Sequence, residues 1–150
     1  MTRYTLTLPW PPRELAPHAK GHWRAKARET RKARDWATVA TLAARVPRLP
    51  DATLWVEYWP AAYRGDVHNV AAMIKAYIDG IADGMGCDDR RFRVEYPSVW
   101  AGKRPGGEIV VHVVPAPALP PGQDATSIAR VRERLASAPV PAACRAEGEA

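Results

Sequence analysis

Residues 64–91, RGDVHNVAAMIKAYIDGIADGMGCDDRR, decide how this chain is read. Val67, Val70, Ile74, Ile78 and Ile81 recur at helical spacing, with Ala71 and Tyr77 beside the stripe. The pattern predicts a helix from about Asp66 to about Ala82 that buries one face and ends at Gly84 and Gly86. Its opposite face is polar: His68, Ala72, Lys75 and Asp79 fall along one line, because residues seven and eleven apart return to nearly the same angle. Asp66 and Asn69 stand at the front end, and Asp88 with Asp89 follow the glycines. Plain structural roles exist for each: Asp66 as a helix cap, Lys75 and Asp79 as an exposed i,i+4 pair, Asp88 and Asp89 as turn residues. Taken together, several carboxylates and an amide flanked by arginines suit a hard cation such as Mg²⁺ that must meet a phosphate.

Upstream, Thr2 to Leu8 alternates with Tyr4, Leu6 and Leu8 on one side, and Pro9-Trp10-Pro11-Pro12 stops it, which reads as a strand and a rigid corner. From Lys20 to Arg34 seven basic residues (Lys20, Arg24, Lys26, Arg28, Arg31, Lys32, Arg34) face one acid, Glu29. A modest apolar stripe of Trp23, Ala27, Thr30, Ala37, Thr41 and Ala44 predicts a helix from about His22 to Ala44 with a basic flank. Such uncompensated charge exceeds what solubility asks and points to phosphate contact. Pro47 and Pro50 end this helix, Ala52 to Trp59 reads as a strand, and Pro60 closes it.

Downstream, Arg91 to Tyr96 alternates, with Phe92, Val94 and Tyr96 on one face. Ala101 to Gly107 is a basic turn with Lys103 and Arg104, and Glu108 to Val114 is a valine-rich strand of central type, in which His112 is a core histidine rather than a ligand. The order βαβαββ predicts one α+β domain, with a mixed sheet and two long helices, over 1–115. Residues 116–150 form a Pro/Ala-rich tail, with a short helix at about 125–138 and otherwise disorder.

Composition sets outer limits. Twenty-two Lys and Arg against 16 Asp and Glu give a net charge of +6, which favours polyanionic partners, nucleic acid first. A hydrophobic share of 47% allows a real core. No apolar run approaches the ~20 residues that span a bilayer, and the N-terminus lacks a signal-peptide core, so no membrane association and a cytoplasmic location are expected. Cys87 and Cys144 make neither a disulfide framework nor a zinc signature.

The opening TRYTLTLPWPP, the segment APHAKGHWRAKARETRKAR at 16–34 and the later RGD-x-x-N, KAYIDG and DD resemble the RusA family of Holliday junction resolvases, phage-type members included, over about Thr2 to Val114. The resemblance implies a RusA-like α+β fold and a homodimeric endonuclease, dependent on Mg²⁺ with Mn²⁺ as the alternative. It would bind four-way DNA junctions and nick two opposed strands in recombination and repair. Family members rely on a D-x-D-N motif, a second aspartate pair and a helix lysine. Asp66 matches the first aspartate, Asn69 the asparagine in a supporting role, and Asp89 the later pair, with Asp88 beside it. His68 stands where the best-known members have an aspartate. The ungapped lysine position is Ala72, and Lys75 is the nearest lysine.

The implied catalytic set is Asp66, Asp89, Lys75 and His68, with Asp66, Asp89, Asp88 and His68 as metal ligands. Lys20, Arg24, Lys26, Arg28, Arg31, Lys32, Arg34, Arg64, Lys103 and Arg104 would grip DNA. A continuous helix from Asp66 to Asp83 would span about 25 Å against about 17 Å of return from Gly84 to Asp89, which predicts a site composed from two chains unless the helix breaks at Gly80. Two other readings remain: a catalytically inactive junction-binding protein, and an RNA-binding module, for which no exposed aromatic platform is legible.

Overall fold

Three of the stretches read as strands become the long strands of one sheet. In the computed structural model, which describes residues 2–116, β1 is Tyr4–Pro9, β2 Thr53–Trp59, β3 Arg93–Glu95 and β4 Glu108–Val114. They lie in the order β1-β4-β2-β3. β4 pairs antiparallel with both β1 and β2, while β3 adds parallel to β2, so the sheet is mixed. The period-two pattern dictates which side is packed. Leu6, Leu8, Leu54, Val56, Tyr58, Ile109, Val111 and Val113 are all buried, whereas Thr5, Thr7 and Trp55 are exposed.

Helices cover the packed face. α1, Trp23–Ala43, begins where His22 Nδ1 accepts a hydrogen bond from the Arg24 amide. Its apolar stripe is only half used: Ala33, Ala37 and Thr41 are buried, but Trp23, Ala27 and Thr30 are exposed. The expected continuous helix is a correction. α2, Asn69–Met73, and α3, Lys75–Met85, are separated by Ile74, whose φ of −96° and ψ of 5° leave the helical region. The break sits at Ile74, not at Gly80. Gly84 is interior to α3, and only Gly86, at φ 67°, ends it, with the left-handed cap that glycine tolerates.

Gly80 and Gly84 have a different task, which is to let α1 and α3 touch. A Cβ at Gly80 would lie 2.2 Å from the Arg34 carbonyl oxygen, and one at Gly84 would lie 2.6 Å from Thr41 Cβ. As α3 advances from Gly80 to Gly84, α1 advances from Ala37 to Thr41, so the two helices run in the same sense, as expected for parallel crossovers. Thr38 Oγ1 donates to the Gly80 carbonyl at 3.1 Å across this seam. Tyr77 Oη donates to the Pro9 carbonyl at 2.7 Å and ties α3 to the end of β1.

The described residues 2–116 belong to one compact unit. The expected tail helix at about 125–138, and Cys144, lie outside the described residues. Among those described, no helix is long and apolar enough to cross a membrane.

Gly80→Ala should lower stability by roughly 1–2 kcal/mol, because a Cβ driven against backbone puts overpacking at the upper end of about 1–3 kcal/mol, and at most about 1 kcal/mol is regained in helix propensity. Gly21→Ala, where nothing lies within 4 Å of the new Cβ, is the control. Urea midpoints decide it, and an unchanged midpoint for Gly80→Ala would contradict the close seam.

Candidate active site

α3 carries Lys75, Asp79 and Asp83 four residues apart, which places them along one ridge. The glycine cap then turns the chain back, and a 3₁₀ turn, Asp89–Arg91, delivers Asp89 to the start of the same helix. Lys75 Nζ donates to Asp89 Oδ2 at 2.7 Å and also to Asp79 Oδ1. Beside them, Arg34 of α1 grips Asp83 with two parallel bonds, Nε to Oδ2 at 2.5 Å and Nη2 to Oδ1 at 2.9 Å. These groups, with Asp88, Arg90, Ala82 and Cys87, line an open cleft of about 500 Å³.

Charge compensation is the cleft's main electrostatic feature. The Lys75 hydrogen bond holds the Asp89 carboxyl below the ordinary carboxylate range. Arg34 does the same for Asp83, again chiefly by hydrogen bonding. Partial burial pulls Lys75 down, but its bonds to Asp79 and Asp89 outweigh this and hold the ammonium above its usual value. Asp83, Asp89 and Lys75 are therefore charged at neutral pH. Burial raises the Cys87 thiol, which disfavours the thiolate.

The expected residues divide into those the fold gathers and those it does not. Asp88, Asp89, Lys75 and Arg34 meet in the cleft, joined by Asp79 and Asp83, which the sequence reading left out of the site. The four-residue spacing of Lys75, Asp79 and Asp83 was the available signal. Asp66 and His68 do not line the cleft. Asp66 Oδ1 accepts from the His68 amide at 2.9 Å, a local turn leading into α2, and Asp66, His68 and Asn69 are exposed. The ligand set of Asp66, His68, Asp88 and Asp89 is thus not assembled. Among the described residues, no three His, Cys, Asp or Glu side chains converge to hold a metal. In donor type the cleft does fit a hard divalent cation, since Asp79, Asp83, Asp88 and Asp89 all offer carboxylate oxygens.

The two-chain site also loses its premise. Asp89 returns to Lys75 rather than stopping beside Gly84, and the helix is broken at Ile74, so only the segment from Asp66 to Lys75 separates Asp66 from the cleft.

The cationic residues divide similarly. Lys20, Arg24, Lys26, Arg28, Arg31 and Lys32 are exposed on or before the first half of α1, and Arg64 and Lys103 are exposed elsewhere. Lys103 Nζ lies 4.9 Å from the ring centre of the exposed Tyr63. Arg104 is already committed, bonded to Glu108 at 2.7 Å and stacked 3.9 Å over Trp59. His112 is held on both sides, by Thr5 Oγ1 at 3.0 Å and Glu57 Oε1 at 2.9 Å, consistent with a structural histidine.

Asp83→Asn tests the Arg34 pair through pH. A depressed folded value means that the pair's stabilisation is fully present above the ordinary carboxylate value and lost as pH falls through the lower folded one. The variant should melt slightly lower at pH 7, by a small margin because both groups are half exposed, and the gap should close as pH drops below about 4. A gap independent of pH would assign the effect to shape rather than charge.

No protein-family model matches the chain. An uncharacterized protein of Xylella fastidiosa (strain Temecula1 / ATCC 700964) is 36% identical over 115 residues, which cover 73% of this chain and 74% of that protein.

Proposed function

This chain belongs to the same family as the Xylella fastidiosa protein, and we propose that it is a divalent-metal-dependent DNA endonuclease of the RusA type, which binds four-way junctions as a two-fold homodimer and resolves them by paired nicks. One observation carries the reading: a carboxylate-lined cleft is walled by Arg34, the last of the basic run on α1. A phosphodiester hydrolase needs both halves of that arrangement. The cationic helix binds the backbone through phosphates with little base readout, and the carboxylates supply hard oxygen donors.

Asp89 and Asp79, the two carboxylates that Lys75 draws together, would be the oxygen donors to Mg²⁺, Mn²⁺ being the alternative. Bound there, the ion would acidify a water and neutralise charge on the nonbridging oxygens. Lys75 holds Asp79 and Asp89 in place and keeps Asp89 ionised, and its ammonium is the group that would meet a phosphate oxygen entering the cleft. Arg34 holds Asp83 and continues the cationic surface to the cleft wall. Asp66, His68 and Asn69 stand at the approach to α2, where the resemblance assigns a ligand and a supporting amide.

A specific feature favours a second reading. Lys75 already pairs with both Asp79 and Asp89, Arg34 pairs with Asp83, and His68 replaces an aspartate, as in a junction-binding protein that does not cut. Such a protein would bind junctions in EDTA and leave them intact in Mg²⁺.

Cleavage of a labelled four-way junction in Mg²⁺ separates the two. On the nuclease reading, Asp89→Asn cuts at least about a hundredfold more slowly while binding in EDTA stays near normal. An equally active Asp89→Asn variant removes that residue from the mechanism. His68→Asp should keep or raise Mg²⁺-dependent cutting, because an oxygen ligand suits Mg²⁺ better than imidazole does. A folded but inactive His68→Asp variant would give His68 a role of its own. Light scattering should find a dimer, since paired nicks need two equivalent sites.

A further inference from the structure

The first half of α1 leaves the core. From Trp23 to Lys32 every residue except Ala25 and Glu29 is exposed, and the buried positions begin at Ala33. This arm bears Arg24, Lys26, Arg28, Arg31 and Lys32 against Glu29 alone. At its tip Trp23 leaves 69% of its surface in water, which the monomer's packing does not explain. The His22 ring stacks on the indole at 5.7 Å and 29°, and the Arg24 guanidinium lies 5.4 Å from its centre. Trp23, Lys26, Ala27, Thr30, Arg31 and Arg34 line one open groove of about 450 Å³. That groove ends on Arg34, which also walls the carboxylate cleft.

The occupant must satisfy an exposed indole and a row of cations together. A second copy of the arm would set like charges against each other along its length, which is repulsive at any dielectric constant. A nucleic acid strand offers the complement, with a π-face for the indole and a phosphate for each cation. We propose that Trp23 is a stacking platform for an unpaired base of a DNA strand whose phosphates follow Lys26, Arg31 and Arg34 toward the cleft. The stacking stands on the groove itself; only the base's distance from a cut phosphate rests on the nuclease reading. Trp23 and Arg34 are eleven residues apart, about 16 Å along the helix. This is about five steps at 3.4 Å per nucleotide of one strand.

The test uses the full chain in EDTA with four-way junctions and single strands that carry one 2-aminopurine at successive positions from the branch or end. Fluorescence should fall on binding at one position, and Trp23→Ala should abolish that response. Trp23→Ala should also weaken single-strand binding by roughly 5- to 150-fold, the range of one base stack. Trp23→Phe should retain most of both effects. Blunt duplex, which offers no unpaired base, should bind both proteins within about twofold. Since Trp23 is exposed, circular dichroism should show the Ala variant folded.

An unaltered fluorescence response or single-strand affinity in Trp23→Ala overturns the proposal. Equal loss on duplex, absence of DNA binding by the unsubstituted chain, and tighter binding of RNA than of DNA of the same sequence also overturn it. Stacking that survives in a chain unable to cut junctions in Mg²⁺ overturns the nuclease reading alone. Cutting that survives Trp23→Ala with no stacking signal overturns the platform alone.

Discussion

The contact between α1 and α3 through Gly80 and Gly84 is the constraint on which the remaining geometry depends. Two helices can approach this closely only where Cβ atoms are missing, and here the partner of Gly80 is backbone, which cannot swing aside as a long side chain can. The seam fixes both the spacing and the rotation of α1. Arg34, one turn before Ala37, therefore emerges beside Asp83 instead of in open solvent. Their ion pair is half exposed, so its part is to orient the guanidinium more than to hold the domain together. Packing makes the placement and the charge pair refines it.

Compensation inside the cleft follows from that placement. Two unit charges 4 Å apart interact by about 1 kcal/mol in water and by about 4 kcal/mol at an effective dielectric constant of 20. Asp79 and Asp89 share one ammonium, so they would repel each other without it. Lys75 is thus the internal cation of a site whose carboxylates would otherwise spread. Any external cation or phosphate entering the cleft must re-divide these interactions, which makes Lys75 central both to the nuclease reading and to the binding-only one.

Local patterns made most of the fold legible. β1 came from alternation, β2 from its apolar residues and the closing Pro60, and β4 from its valine run, with ends displaced by two residues or fewer, and α1 came from its helical period and flanking prolines. The break at Ile74 was not legible, because Ile74 lies on the buried face and the stripe from Val67 to Ile81 runs across it undisturbed. Gly84 was read as a helix end because a lone sequence does not say that another helix will lie against it. Asp89 and Lys75 were identified, but by resemblance and residue type. The meeting of Asp79, Asp83 and Arg34 is tertiary, since Arg34 lies on a separate helix and no local period encodes it. Trp23 was assigned to an apolar stripe by spacing alone, and only the extent of the core shows that the stripe begins to be buried at Ala33.

Arg34 also resolves a difficulty raised by putting an acidic cleft in a protein meant for a polyanion. Carboxylates repel phosphates, and at physiological ionic strength charges are largely screened beyond about 8 Å. The tip of the arm, about 16 Å along the helix from Arg34, cannot offset that repulsion at the cleft. A strand held only by Lys20 and Arg24 would stop short. Because Arg34 borders both the arm's groove and the cleft, the cationic track continues to the wall where the carboxylates begin. Its bond to Asp83 neutralises the carboxylate nearest the end of that track. On the proposed reading a phosphate leaving Arg31 therefore meets a wall where Arg34 already offsets Asp83 and Lys75 offsets part of the Asp79 and Asp89 charge, and these three cations are what join binding to chemistry.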